Sequence, residues 1–189
     1  MVTICNNGLD SFFYDKKITT KKKRWNMKKL VKLLVMASLF FVTTGMIPPK
    51  IQFALFDKVF QHDHILQNKQ NIRIMMVYIS KSTQLMEFEK YFNKNKYQLD
   101  LVHRDQVDEK IDEYDVIFIL PELEESATPC SEKKKLSISF VPQYAQKGHV
   151  AIAIGLIDDT PRVFINLDRL EQEGHTVSAS LLQIAEVYK

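Results

Sequence analysis

The stretch NIRIMMVYIS, residues 71–80, decides the class of fold. It is an almost unbroken apolar run of strand length, rich in Ile, Val and Tyr. A strand with one wet face alternates apolar and polar residues, whereas a continuous run is covered on both faces. DVIFILP, Asp115–Pro121, repeats the pattern. Between them TQLMEFEKYFNK carries Leu85, Phe88 and Phe92 on one helical face, with Ser82 or Thr83 as its cap. YQLDLVH alternates and fits a short strand.

Upstream, KIQFALFDKVFQ places Ile51, Leu55 and Val59 at steps of four, with Phe53, Phe56 and Phe60 on the same side, which predicts a helix with one apolar stripe. Downstream, QVDEKIDEYD reads as a charged, solvated helix or turn and Glu122–Lys135 as a polar segment with at most a short helix. LSISF is a strand, and PQYAQKG is one helical turn ending on Gly148. HVAIAIGLI and RVFINL flank Asp158-Asp159-Thr160, an antiparallel hairpin. A short helix begins at Asn166 or Asp168 and stops at Gly174, and Ser178 caps a terminal helix, ASLLQIAEVY. The expected fold is α/β: a mostly parallel sheet covered by helices on both faces, with a C-terminal antiparallel hairpin and terminal helix.

Before this domain stands MKKLVKLLVMASLFFVTTG, residues 27–45. Lys28, Lys29 and Lys32 precede the apolar run Leu33–Val42, and small residues end the segment: the layout of a secretory signal peptide. The run is about 10 residues, against the ~20 of a membrane span. The expectation is cleavage before Met46 and export to the periplasm, with an uncleaved anchor as the rival. Residues 1–26 are expected to be a disordered or mis-assigned extension, and whether Met1 or Met27 is the true start stays open. The domain is then 46–189. Nine of the 26 basic and two of the 23 acidic residues lie in 1–45, leaving 17 and 21, a net charge of −4. An acidic domain does not attract phosphate backbones, which removes the main argument for nucleic-acid binding. Of the two cysteines, only Cys130 lies beyond the leader, so no intrachain disulfide is expected.

The residues do not point to catalysis. After Gly45 only Gly148, Gly155 and Gly174 remain, too few and too scattered for a phosphate-cradling loop. The strands ending Ile79-Ser80 and Leu120-Pro121 offer no Asp for a Mg²⁺-dependent phosphoacceptor. His62 and His64 stand two apart, a spacing that does not share a helix face, and read as surface histidines; His103, His149 and His175 lack a partner motif. Ser178 and Ser180 lie near His175, but no G-x-S-x-G elbow exists. Glu124/Glu125 and Asp158/Asp159 read as a solvated face and a turn, and Lys133–Lys135 as a solvated edge. No cofactor or metal is expected.

The run RVFINLDRLEQEGHTVSASLLQIA, 162–185, resembles the end of the YfiR-like (DUF4154) family of exported bacterial proteins, with an R-F-x-I-N-L type strand followed by a G-x-x-I-S-S-x-L-L-x-L-A type close. Arg162, Ile165, Asn166, Leu167, Gly174, Val177, Ser178, Leu181, Leu182 and Ala185 fit. VPQYAQKGHVAIAI is similar to the preceding family segment through Tyr144, Ala145 and Gly148. KIQFALFDKVF resembles its opening aromatic helix and DVIFIL its central strand, so the likeness runs from about Lys50 to Lys189. The chain departs from the pattern at QHDH, where the family has Trp-Pro, and at His149, Phe164 and Ala179. The resemblance implies a periplasmic regulator and not an enzyme. Its expected partners are an inner-membrane diguanylate cyclase or sensor kinase, an outer-membrane peptidoglycan-binding protein, and a second copy of the chain. Tyr144, Phe164 and Arg169 are the candidate partner surface. The alternatives are a small-ligand sensor with a pocket at the strand ends, and a hydrolase using His175 and Ser180.

Overall fold

In the computed structural model the described residues are 47–189. The extension and the leader, and with them the expected cleavage, lie outside the described residues. The domain is built on a seven-stranded sheet of order β2-β1-β3-β4-β5-β6-β7. Strands β1 (Arg73–Tyr78), β2 (Gln98–His103), β3 (Val116–Ile119), β4 (Leu136–Ser139) and β5 (Ile152–Ile157) are parallel. β6 (Thr160–Asn166) returns antiparallel to β5, and β7 (Glu186–Tyr188) runs parallel to β6.

The continuous apolar runs are central strands covered on both faces. Ile74 and Met76 point to one core, with Val116, Phe118, Leu136, Ile138 and Ile152. Met75 and Val77 point to the other, with Ile117, Ile119 and Ala153. Helices α1 (Pro49–His62) and α2 (Thr83–Asn95) cover the first face. Three short helices pack on the second: α3 (Val107–Lys110), α4 (Thr128–Lys133) and α5 (Pro142–Gln146). The expected α/β class, the two covered faces and the hairpin are present. That hairpin turns on Asp158 and Asp159, both left-handed (φ 49° and 57°), the geometry of a tight turn between twisted strands.

The first core is largely aromatic. Phe118 lies 4.6 Å from Phe140 and 5.3 Å from Phe56, and Phe88 lies 4.5 Å from Phe92, measured between ring centroids. These rings set the rotation of α1. Its inner face is Gln52, Phe56, Val59 and Phe60, so Ile51, expected inside, is 41 % exposed. α2 keeps its expected face, Phe88 and Phe92, and its cap: Ser82 Oγ accepts the Leu85 N–H.

Three local expectations are corrected. QVDEKIDEYD is not fully solvated, because Val107 and Ile111 anchor α3 and its flanking 3-10 turns in the second core. The 122–135 segment is also half inside: a 3-10 turn and α4 bury Ala127 and Cys130. Burial pushes the Cys130 thiol far above its ordinary range, which leaves it protonated and inert in the folded chain. The terminal helix is only four residues, α7 (Ala179–Leu182), and the chain then extends as β7. β-Branched Val187 and aromatic Tyr188 suit a strand, and pairing with β6 satisfies backbone groups that an edge would leave open. Tyr188 stacks on Phe164.

Gly155, mid-strand in β5, is dictated by packing. A Cβ there would stand 2.1 Å from Pro142 Cγ, at the start of α5. A proline ring cannot swing aside as a long side chain can. Gly155→Ala should therefore destabilise the domain by about 1–3 kcal/mol through overpacking, measured as a lower urea midpoint at unchanged slope.

Candidate partner-binding surface

Of the three residues expected to meet a partner, none is free. Phe164 is 3 % exposed and belongs to the second core, beneath Tyr188. It faces inward because Val163 and Ile165 take the opposite side of β6. Arg169, in α6 (Leu167–Gln172), is committed internally: Nε donates to Glu173 Oε1 at 2.7 Å and Nη2 to the Ala127 carbonyl. Tyr144 is partly exposed, but its hydroxyl donates to Glu124 Oε2 and accepts the Glu122 N–H, both at 2.8 Å. It ties α5 to the loop after β3.

Arg169 serves a buried carboxylate. Glu173 is fully buried and accepts from Ser137 N (2.7 Å), Ser137 Oγ (2.5 Å) and Arg169 Nε. Ser137 Oγ also accepts the Ala151 N–H, so α6, β4 and the start of β5 meet on one side chain. Burial pushes the Glu173 carboxyl above its ordinary value, and its donors pull it back only in part.

Two residues on, His175 turns to the other face. Its Nδ1–H donates to Asp63 Oδ2 at 2.8 Å, with both side chains buried. Asp63 Oδ1 accepts the N–H groups of Ile65 and Leu66, capping the turn after α1. Backbone bonds from His64 N to Thr176 O and from Ser178 N to His62 O close the clasp. His62 Nδ1 lies 2.8 Å from Ser178 Oγ, which lies 2.9 Å from Ser180 Oγ. Ser178 Oγ thus engages His62 and makes no side-chain cap on α7, contrary to expectation. The histidine–serine pairing of the hydrolase reading is not the one formed: His175 meets Asp63, and Ser180 meets Ser178 and His62. No group of three or more side chains able to hold a metal ion occurs among the described residues, His62 and His64 included.

Four of the seven large apolar side chains exposed among the described residues form a rim at the C-terminal ends of the parallel strands; Ile65, Ile184 and Val187 stand elsewhere. Ile79 follows β1 and Ile157 ends β5, while Ile51 and Met86 stand in the first turns of α1 and α2, which begin at that end. These side chains are 36–49 % exposed. Between α1 and the ends of β4 and β5 lies a groove of about 320 Å³ walled by Ile47, Phe140, Pro142, Ile154 and Leu156. Gln52 also lines it, 8 % exposed, with its backbone N–H bonded to the Pro48 carbonyl. An apolar slot with one amide on its wall has the composition of a pocket for an apolar group. The opposite end of the sheet is charged, with the pairs Lys69–Asp115, Arg73–Glu113, Lys96–Asp57 and Lys133–Asp112. Exposed pairs of this kind contribute little to stability; they keep that end wet. The rim was not singled out from the sequence, though a signal existed: the runs IRIMMVYI and AIAIGLI each carry an apolar residue at or past the last paired position.

Comparison with known proteins follows from this geometry. A family model described as YfiR/HmsC-like matches residues 63–186. A conserved domain protein from Vibrio cholerae is similar in structure (TM-score 0.59, 17 % identity, 75 % of this chain and 60 % of that one). So is a substrate-binding protein with adhesive properties from Clostridium difficile, in its ligand-free open form (TM-score 0.53, 11 % identity, 62 % and 54 %). An ABC domain in complex with L-Trp from Streptococcus pneumoniae gives a TM-score of 0.50 at 15 % identity, with 62 % and 55 % covered. The chain thus spans 54–60 % of the length of these solved chains, and at such identities the likeness is one of fold. No curated protein matches it significantly by sequence.

The Glu173 cluster makes a pH prediction. Its pKa is raised on folding, so the native state binds this proton more tightly than the unfolded chain, and this group's contribution to stability falls as pH rises upward from the ordinary value of 4.5. Glu173→Gln removes the titration. The wild-type chain should gain stability relative to Glu173→Gln as pH is lowered from 7 towards 5, read from paired urea melts; a difference that shrinks on acidification would contradict the assignment.

Proposed function

Because the chain belongs to the YfiR/HmsC-like family, whose members are regulatory proteins and not catalysts, we propose that it is a periplasmic binding protein that controls an inner-membrane signalling enzyme by protein contact. The enzyme is a diguanylate cyclase, with a sensor kinase as the other candidate. An outer-membrane peptidoglycan-binding protein competes for the regulator and relieves the block. The mechanism is a population shift: binding preferentially to the inactive receptor conformation lowers cyclic-di-GMP synthesis across the membrane. A shift of 1–3 kcal/mol, the usual size of such coupling, would change output by about 5–150-fold.

One observation supports the surface assignment: the exposed apolar residues of the rim and the groove lined by Gln52 both lie at the C-terminal ends of the strands. Ligands of open α/β sheets meet that edge. The same groove supports a second reading, a small-ligand sensor, since an apolar slot with one polar group also suits a small molecule.

Tagged protein used as bait on solubilised inner membranes should recover a protein with a periplasmic segment and a cytoplasmic cyclase or kinase domain. Ile157→Glu, at an exposed position, and Gln52→Ala should each lower recovery at least 10-fold with little change in melting temperature. Deleting the gene should raise cyclic-di-GMP. Recovery of no signalling enzyme, with unchanged cyclic-di-GMP, would refute the proposal. Loss of partner binding on addition of one metabolite that raises the melting temperature would favour the sensor reading.

A further inference from the structure

Charges are arranged differently at the two ends of the sheet. At the N-terminal end of the parallel strands they pair within the chain, as Lys69–Asp115 and Arg73–Glu113 do. Around the groove they do not. Lys50 stands in the first turn of α1, between Ile47 and Gln52 of the groove wall. Asp158 and Asp159 form the hairpin tip just beyond Leu156, and Arg162 lies opposite Gly155 on β6. All four are exposed, and their side chains make no hydrogen bond or ion pair among the described residues.

These two cations and two carboxylates make the surround of the groove neutral. A purely cationic or purely anionic partner would satisfy one pair and be repelled by the other. A surface carrying the same four charges satisfies them all. The apolar part has the same property. The groove, about 320 Å³, is a hole, and Ile157, one residue past Leu156 and 36 % exposed, is a knob beside it. A two-fold interface sets one patch against a copy of itself, so that patch must hold both halves of every contact. Here a single patch holds a hole and a knob, with unpaired charges of both signs.

We propose that two copies of this chain associate through this end of the sheet, Ile157 of each entering the groove of the other and Asp158 and Asp159 facing Lys50 and Arg162 across the two-fold axis. The groove is then covered in the dimer and open in the monomer. Competition between dimer and membrane partner rests on the reading of the groove as that partner's site; the dimer itself does not.

Residues 47–189 hold both cores and all seven strands, so the chain from Met46 onward carries the whole compact unit. Sedimentation velocity of this chain, free of membranes, reads the association directly. The sedimentation coefficient should rise from monomer to dimer across the micromolar range. The dissociation constant should rise several-fold as sodium chloride is increased from about 50 to 500 mM, because salt screens exposed charges. Ile157→Glu should weaken the dimer by about 10-fold or more, since it carries a charge into an apolar slot. The charge pattern is tested by mixing: a Lys50→Glu, Arg162→Glu variant and an Asp158→Lys, Asp159→Lys variant should each be monomeric alone and associate one to one when combined. Asparagine accepts the left-handed backbone of the hairpin tip, so Asp158→Asn with Asp159→Asn keeps the turn and should still weaken the dimer several-fold at an unchanged melting temperature. A chain that stays monomeric throughout overturns the inference and leaves the groove to the membrane partner or a small ligand. A dimer that Ile157→Glu and the charge variants leave intact lies on another surface and overturns it equally.

Discussion

The buried carboxylate of Glu173 is the constraint on which the C-terminal third depends. It has lost its water, and it stays in place because the N–H and hydroxyl of Ser137 and the Arg169 guanidinium converge on its two oxygens. Breaking such a cluster from one side leaves an uncompensated buried charge, at about 3–5 kcal/mol. Three elements are thereby fixed: α6 through Arg169, β4 through Ser137, and β5 through the shared hydroxyl that also takes the Ala151 N–H. Gly174, at φ 76°, then lets the chain reverse so that His175 reaches the opposite side, where Asp63 waits at the end of α1. Three consecutive residues, Glu173-Gly174-His175, thus tie the segment to the sheet on one side and to the first helix on the other.

That clasp explains why the two ends of the sheet differ. With α1 anchored at its C-terminus by Asp63 and His62, its first turn stands over the ends of β4 and β5, and the groove is the space beneath it. The free edges differ as well. Asn93 donates to the carbonyl of Leu99 and accepts its N–H, so a side-chain amide stands where a further strand would pair with β2. Such capping is how sheets avoid unplanned association. The exposed apolar residues left over are therefore informative where they gather, as at the rim, and not where they stand singly.

Much of this was legible in local pattern. Continuous apolar runs identify buried strands because the covering of both faces removes the alternation. The Asp-Asp turn and Ser82 announce themselves by residue type. The clasp could not be read this way: Asp63 and His175 are 112 residues apart, and nothing near either one requires the other. Cys130 and Val107 looked solvated because their neighbours are charged, yet a single inward residue per turn is enough to anchor a short helix. The last segment carried helical spacing, but the unpaired backbone of β6 outweighed it and drew Glu186–Tyr188 into a strand. Phe164 was misplaced for a related reason. Its departure from the family pattern suggested an exposed contact, whereas Tyr188, supplied by that same strand, covers it.

One short element, α5, runs from the groove towards the other end of the sheet. Pro142 at the start of α5 lines the groove, and Gln146 at its end, with Lys147 and Gly148 beyond it, stands beside the junction of β6 and α6. Five residues of helix span only about 7–8 Å, so α5 is a rigid plug and not a lever that can bend. It is held by buried Ala145, by the two hydrogen bonds of Tyr144, and by the absence of a Cβ on Gly155 beneath Pro142. Tyr144 thus has a structural role: its two hydrogen bonds hold the plug to the loop after β3.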